Sequence, residues 1–162
     1  MKTIIMSIKE KHNRNIEKKL KTNELRLRPP KCELPFKVLT YESGFDGRHK
    51  IVNEWVCDDI VEYRICVGVP SILPQTACLS VDEILEYSGK QLKNISAMHI
   101  SNLVIYDKPK DLSEFYTKCH IPENKCKCCD NCFLKENGYG KDHAIKKITR
   151  PPQSWCYVKE RE

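Results

Sequence analysis

The sequence predicts a small α+β barrel of about six strands with two or three flanking helices, and three observations predict it. The chain has 162 residues, the size of a single domain spanning 1–162, which buries around two-thirds of its unfolded surface on folding. Short apolar or alternating runs recur between turn signals: Thr3 to Met6, Phe36 to Tyr41, Ile51 to Cys57, Val61 to Val67, Ile95 to Tyr106 and Trp155 to Lys159. Such runs read as strands. Two capping-box signatures, Ser7 with Glu10 and Ser80 with Glu83, each open a helical segment by placing side chains on orphan amides.

The first strand leads into a helix from Ser7 to about Leu20. Its apolar stripe is Ile8, Ile16 and Leu20 with His12 in the same row, and Lys9, Lys11, Arg14, Lys18 and Lys19 lie mostly outside it. Residues 21–28, Lys-Thr-Asn-Glu-Leu-Arg-Leu-Arg, read as the second strand. The period of two puts Thr22, Glu24, Arg26 and Arg28 on one face and Lys21, Asn23, Leu25 and Leu27 on the other. The leucines then anchor a core while a carboxylate and two guanidiniums share a surface suited to a polar, phosphate-bearing ligand. The alternative is an exposed strand whose Glu and Arg side chains simply pair. Pro29 and Pro30 stop this strand.

Gly44 to Gly47 supplies a hairpin loop, and Gly68 to Pro74 is a second loop with two prolines. In Val61 to Val67, the residues Val61, Tyr63, Ile65 and Val67 share one face. A helix from Val81 to about Tyr87 ends at Gly89. Asp107 to Lys110 stops the long strand, and Leu112 to Phe115 is a turn of helix.

Composition excludes several classes. Apolar residues make up 40% and charged residues 31%, and no stretch approaches the roughly 20 apolar residues of a spanning helix. Thr3 to Met6 is too short for the core of a secretory signal, so the expected location is the cytoplasm. The net charge of +6 is uneven: residues 1–31 hold ten bases and three acids, 32–116 eight and thirteen, 117–150 eight and four. Two basic ends around an acidic middle form one positive surface if they meet in space, and nucleic acid is the natural partner for it. A solvated lysine-rich helix face is the other explanation.

Residues 117–148 read as a cysteine-rich insertion before the last strand. Cys126, Cys128, Cys129 and Cys132 fall within seven residues. Reduced, clustered cysteines bind metal more often than they form disulfides. Structural zinc needs four such ligands, and the set expected is Cys119, Cys126, Cys129 and Cys132, with Cys128 or His143 as substitutes. A metal would also order a segment poor in core residues, and such a unit can dock a protein partner. Cys32, Cys57, Cys66 and Cys78 are read as packing residues.

Several of these segments carry a resemblance. The opening strand, the basic helix and Lys21-Thr22-Asn23-Glu24-Leu25-Arg26 resemble the start of the ASCH domain family. Ala97 to Leu103 resembles an internal strand of it, and Thr149-Arg150-Pro151-Pro152-Gln153-Ser154-Trp155-Cys156-Tyr157-Val158 resembles the closing strand of its phage-type members. The resemblance implies a PUA-like β-barrel. It also implies, for some members, hydrolysis of N4-acetylcytidine by a lysine, a threonine and a glutamate. Lys21 falls on the family lysine; the threonine does not carry over, because the residue three beyond Lys21 is Glu24. Glu54, Glu83 and Glu86 are all open for the glutamate.

The expected function is binding of RNA or a modified nucleotide. Its rivals are a small amidohydrolase or ribonuclease, with Lys21 and Glu24 as the catalytic pair, and a zinc-bearing adaptor. The ligand-binding residues expected are Arg26, Arg28, His99, Arg150, Gln153, Ser154 and Trp155. Trp155 would stack on a base and Arg150 would contact phosphate; the plainer role for Trp155 is a core aromatic.

Overall fold

The computed structural model describes residues 1–118 and 145–159. In chain order they form β1 (Thr3–Lys9), α1 (Glu10–Glu17), β2 (Asn23–Arg26), β3 (Phe36–Ser43), β4 (Ile51–Tyr63), α2 (Ile72–Ala77), α3 (Val81–Ser88), β5 (Ile95–Lys110), β6 (Tyr116–Lys118), β7 (Ile145–Lys147) and β8 (Trp155–Tyr157). Six strands in the order β2-β5-β4-β3-β1-β8 make one curled, half-barrel sheet, and β6 pairs with β7 as a separate leaf. With three helices this is a small α+β barrel of PUA-like form.

β1 reads as continuous apolar sequence because it is covered on both faces. It runs parallel to β3, with Ile4 opposite Val38 and Met6 opposite Thr40, and antiparallel to β8. Ile4, Met6 and Ile8 point into the barrel with Phe36, Val38, Trp55, Cys57, Met98 and Ile16 of α1. Ile5, one residue out of phase, packs on the outer face with Leu39, Tyr41, Ile51, Leu112 and Ile148. A third cluster joins Leu25, Ile95 and Ala97 to Leu73, Ala77 and Ile84 of α2 and α3. Burying a Leu, Ile or Phe side chain is worth about 1.5–3 kcal/mol, so these clusters fix which face of each strand is the inside.

Several expectations are corrected. The first helix begins at Glu10, not Ser7, because Ser7 belongs to β1, where its amide donates to Ser154 O at 2.9 Å and its hydroxyl to Pro152 O at 2.6 Å. α1 starts after Lys9 with no side-chain cap. The helix also ends early: Lys19 turns left-handed (φ 59), and the amides of Leu20 and Lys21 both donate to Asn15 O. Leu20 is thereby thrown outward, 60% exposed. The second strand is only Asn23–Arg26, so Lys21 and Arg28 lie outside the alternation expected of them.

The runs Ile51 to Cys57 and Val61 to Val67 are not two strands. They join as β4 through an irregularity in register between Cys57 and Ile60, where exposed Asp58 and Asp59 had broken the apolar pattern. Such bulges bend a strand and let a long one follow a curled sheet. Ile65–Val67 is a 3-10 turn in which Ile65 is buried and Val67 exposed, so the single apolar face expected there does not form. The loop expected over Gly68 to Pro74 gives way at Ile72 to α2, Ile72–Ala77. Pro109 does not stop β5, which continues to Lys110: β2 pairs only with its Ser96–His99 part, so a missing amide further on costs no ladder bond on that side.

Other signals hold. Ser80 and Glu83 form the reciprocal capping box of α3. Gly89 follows it at φ 75, a conformation that favours glycine. Gly47 is required in the β3–β4 turn, since a Cβ there would lie 2.8 Å from Ser43 O.

The two edges of the half-barrel, β2 and β8, meet without a backbone ladder. Trp155 Nε1 donates to Arg28 O at 2.9 Å, Tyr157 OH donates to Lys31 O at 3.2 Å, and Arg26 reaches Ser7 O and Ser154 Oγ. Side chains therefore close the seam.

Candidate functional site

The turn at Lys19 that exposes Leu20 sends Lys21 inward, to 3% exposure. Its ammonium donates to Ala77 O at 3.1 Å, at the end of α2, and lies 3.1 Å from Glu24 Oε2. Two residues after Glu24 on the same face of β2, Arg26 Nη2 meets Glu24 Oε1 at 2.8 Å. The face is the barrel interior, because Glu24 stands opposite Met98, a core residue. Arg26 also donates through Nη2 to Ser7 O at 2.9 Å and through Nη1 to Ser154 Oγ at 3.2 Å. One carboxylate is thus held between two cations whose positions are fixed by α2, β1 and the approach to β8.

Burial works against a charge on Glu24, but the Lys21 ammonium, and after it Arg26, outweigh this and hold its pKa below the usual carboxylate value. Glu24 Oε2 is buried and faces the Lys21 ammonium. Arg26 Nε and His12 Nδ1 are buried with no hydrogen-bond partner among the described residues. Burial, followed by the nearby Lys21 charge, lowers the pKa of His12, so its imidazole is neutral at neutral pH.

These groups border a cavity of about 610 Å³, within the usual size of a small-ligand site. Its floor is Lys21, Glu24 and Arg26. His12 and Lys9 line one side, Tyr87 and Glu86 of the α3 side another, and exposed Gln153 the mouth. Tyr87 OH donates to Leu25 O at 3.4 Å and so leans over β2.

Of the residues expected from sequence, Lys21, Glu24, Arg26, Gln153 and Ser154 come together here. Trp155 does not line the cavity; it packs against the barrel core and ties the seam, edge-on to Tyr157 at 5.1 Å. Arg28 is exposed beyond the end of β2, where its carbonyl serves Trp155. His99 stands opposite Asn23 on the outward side, its Nδ1 2.6 Å from Asp58 Oδ1. That imidazole holds Asp58 below the usual carboxylate pKa. Arg150 is exposed and does not line the cavity.

Among the three open glutamates, Glu83 and Glu86 border the cavity and Glu54 does not. Glu83 is engaged by Lys11 at 2.9 Å and by the Ser80 amide at 2.8 Å. Lys9, His12 and Tyr87 also line the site, where none of them was expected. The signal for His12 was a polar group inside the apolar stripe of α1.

The expected metal ligands Cys119, Cys126, Cys129 and Cys132 lie outside the described residues, as do Cys128 and His143. Among the described residues no group of three or more His, Cys, Asp or Glu is placed to hold a metal ion. No helix among them is long and apolar enough to cross a membrane.

No family model matches the chain, and no curated protein does. Solved structures do match in fold. The ASCH structure from Zymomonas mobilis superposes with a TM-score of 0.66 at 17% identity, covering 98% of this chain and 88% of that one. A tyrosine-to-phenylalanine mutant of it gives 0.63 at 17%, covering 99% and 92%. A serine-to-alanine mutant gives 0.66 at 16%, covering 98% and 89%.

Proposed function

We propose, from the ASCH fold that this chain shares with those structures, that it binds RNA or a modified nucleotide with the base in the barrel cavity. One observation carries the reading: Arg26 Nε and His12 Nδ1 are buried polar atoms with no hydrogen-bond partner among the described residues, and both residues line one cavity beside the buried Glu24 carboxylate. A buried polar atom left unpaired costs about 1–3 kcal/mol, which a ligand regains by pairing it. A nucleobase edge offers donors and acceptors side by side, matching a carboxylate flanked by a guanidinium. Gln153 and Lys9 at the mouth are suited to sugar and phosphate.

A second reading is hydrolysis at the same place, amide or phosphodiester, favoured by the Lys21 Nζ to Glu24 Oε2 distance of 3.1 Å. A lysine and a carboxylate in contact can share a proton during attack on a carbonyl or phosphoryl centre.

One experiment separates them. The pure protein, Lys21→Met and Gln153→Ala are incubated with total RNA and a panel of modified nucleosides, and retention and loss are followed by mass spectrometry. Thermal unfolding of each variant checks its fold. Retention of one nucleoside, weakened by Gln153→Ala, supports the binder. Loss of that nucleoside that stops in Lys21→Met makes the protein an enzyme. No retention and no loss would sink both readings.

This reading assumes a cytoplasmic protein. The cysteine-rich stretch around Cys126 to Cys132 is proposed to carry one structural zinc. Elemental analysis of the purified protein is expected to give about one zinc per chain, lost in Cys129→Ser; a metal-free preparation overturns this.

A further inference from the structure

A second cavity, of about 790 Å³, lies on the other side of the sheet. Its base is Lys37 of β3, Glu54 of β4, and Tyr106 and Lys110 of β5; Phe115 and Lys159 stand beside them. Leu39, which also borders it, belongs to the outer cluster, while its neighbour Val38 faces the barrel core. The sheet itself therefore separates this cavity from the Lys21 site.

Its charges are arranged for an anion. Glu54 accepts from Lys37 Nζ at 3.0 Å and from Tyr106 OH at 2.5 Å. The other bordering carboxylate, Glu114, accepts from the Asp111 amide at 2.6 Å. Both acids are thus committed to local partners. Lys110 Nζ stands 4.4 Å from the centroid of the Tyr106 ring, a contact that orients an ammonium without using its N–H donors. Lys159 is exposed, and its backbone is fixed by a 2.8 Å bond to Tyr116 O. An ammonium oriented on an aromatic ring and a second, exposed lysine combine charge with stacking, the pairing by which proteins take up a phosphate and an attached base. An acidic peptide would use the charges but not the rings.

We propose that this outer cavity is a second site, for a nucleotide unit, with the phosphate on Lys110 and Lys159 and the base against Phe115. It stands independently of the reading of the barrel cavity. A free nucleotide and a segment of single strand present the same chemistry.

The test titrates the full-length protein with AMP, inorganic phosphate and a single-stranded hexaribonucleotide, reading amide shifts by NMR and affinity by calorimetry. AMP is expected to move the amides of Tyr106, Lys110 and Phe115. Lys110→Gln/Lys159→Gln is expected to weaken the AMP binding read at these amides about tenfold or more, two charge-assisted contacts being lost. Both substitutions sit at exposed positions, and the amide spectrum of the double variant reports the fold directly. A hexanucleotide bound about tenfold tighter than AMP assigns the site to a strand; equal affinities assign it to a free nucleotide. The proposal is overturned if none of the probes binds, if the double variant binds AMP unchanged, if the shifts fall only around Lys21 and Arg26, or if phosphate binds as tightly as AMP.

Discussion

At the scale of single residues, Glu24 decides the most. It is 6% exposed, and the cations of Lys21 and Arg26, exposed to 3% and 9%, depend on it. Removing one partner of a buried ion pair costs about 3–5 kcal/mol, because the remaining charge is left uncompensated. Glu24→Gln is therefore expected to lower the denaturant midpoint sharply. Lys21→Met/Glu24→Gln should recover part of the loss, since it removes a charge of each sign. Equal midpoints for wild type and Glu24→Gln would refute this. Glu24 and Arg26 were legible as a pair from the alternation of β2. The inward turn of Lys21 was not, because it depends on a left-handed Lys19 and a carbonyl, Asn15 O, shared by two amides. Residue types do not announce either.

At the scale of elements, α1 is joined to the β3–β4 hairpin by a polar cluster that no periodicity indicates. Asn13, wholly buried in α1, donates to Glu42 Oε2 at 2.6 Å and accepts from Asn53 Nδ2 at 2.8 Å. Arg48 grips Glu42 with both Nε and Nη2, at 2.8 and 2.7 Å, and adds its backbone amide at 2.9 Å. Burial alone would raise the pKa of Glu42, but these donors bring it down to about 2. The folded value is below the unfolded one, so the stabilisation is complete above the ordinary glutamate range and is lost as pH falls toward about 2. Its size is on the order of 2 kcal/mol, discounted because Arg48 is itself 40% exposed. Wild type should lose more stability than Glu42→Gln between pH 5 and pH 2, measured by denaturant titration at each pH; parallel losses would refute it. Capping boxes and turn glycines were readable because they are local chemistry. The joining of two expected strands into β4, and the withdrawal of Ser7 into β1, were not, because the sheet partners that claim those residues lie far away in sequence.

At the scale of the whole molecule, the strand content, the small barrel and its covering helices follow from patterns of burial that a sequence displays. What a sequence does not display is how the sheet's edges meet. Here that closure rests on the side chains of Arg26, Trp155 and Tyr157, reaching across separations of 126 to 128 residues. The same closure brings Gln153 and Ser154 to the cavity that Lys21, Glu24 and Arg26 floor. Contacts so distant along the chain carry the loop-closure cost of bringing their ends together. A polypeptide still being synthesised carries the ionic floor of its pocket long before it owns the wall. That wall of the cavity exists only once β8 and the residues just before it have docked on the sheet.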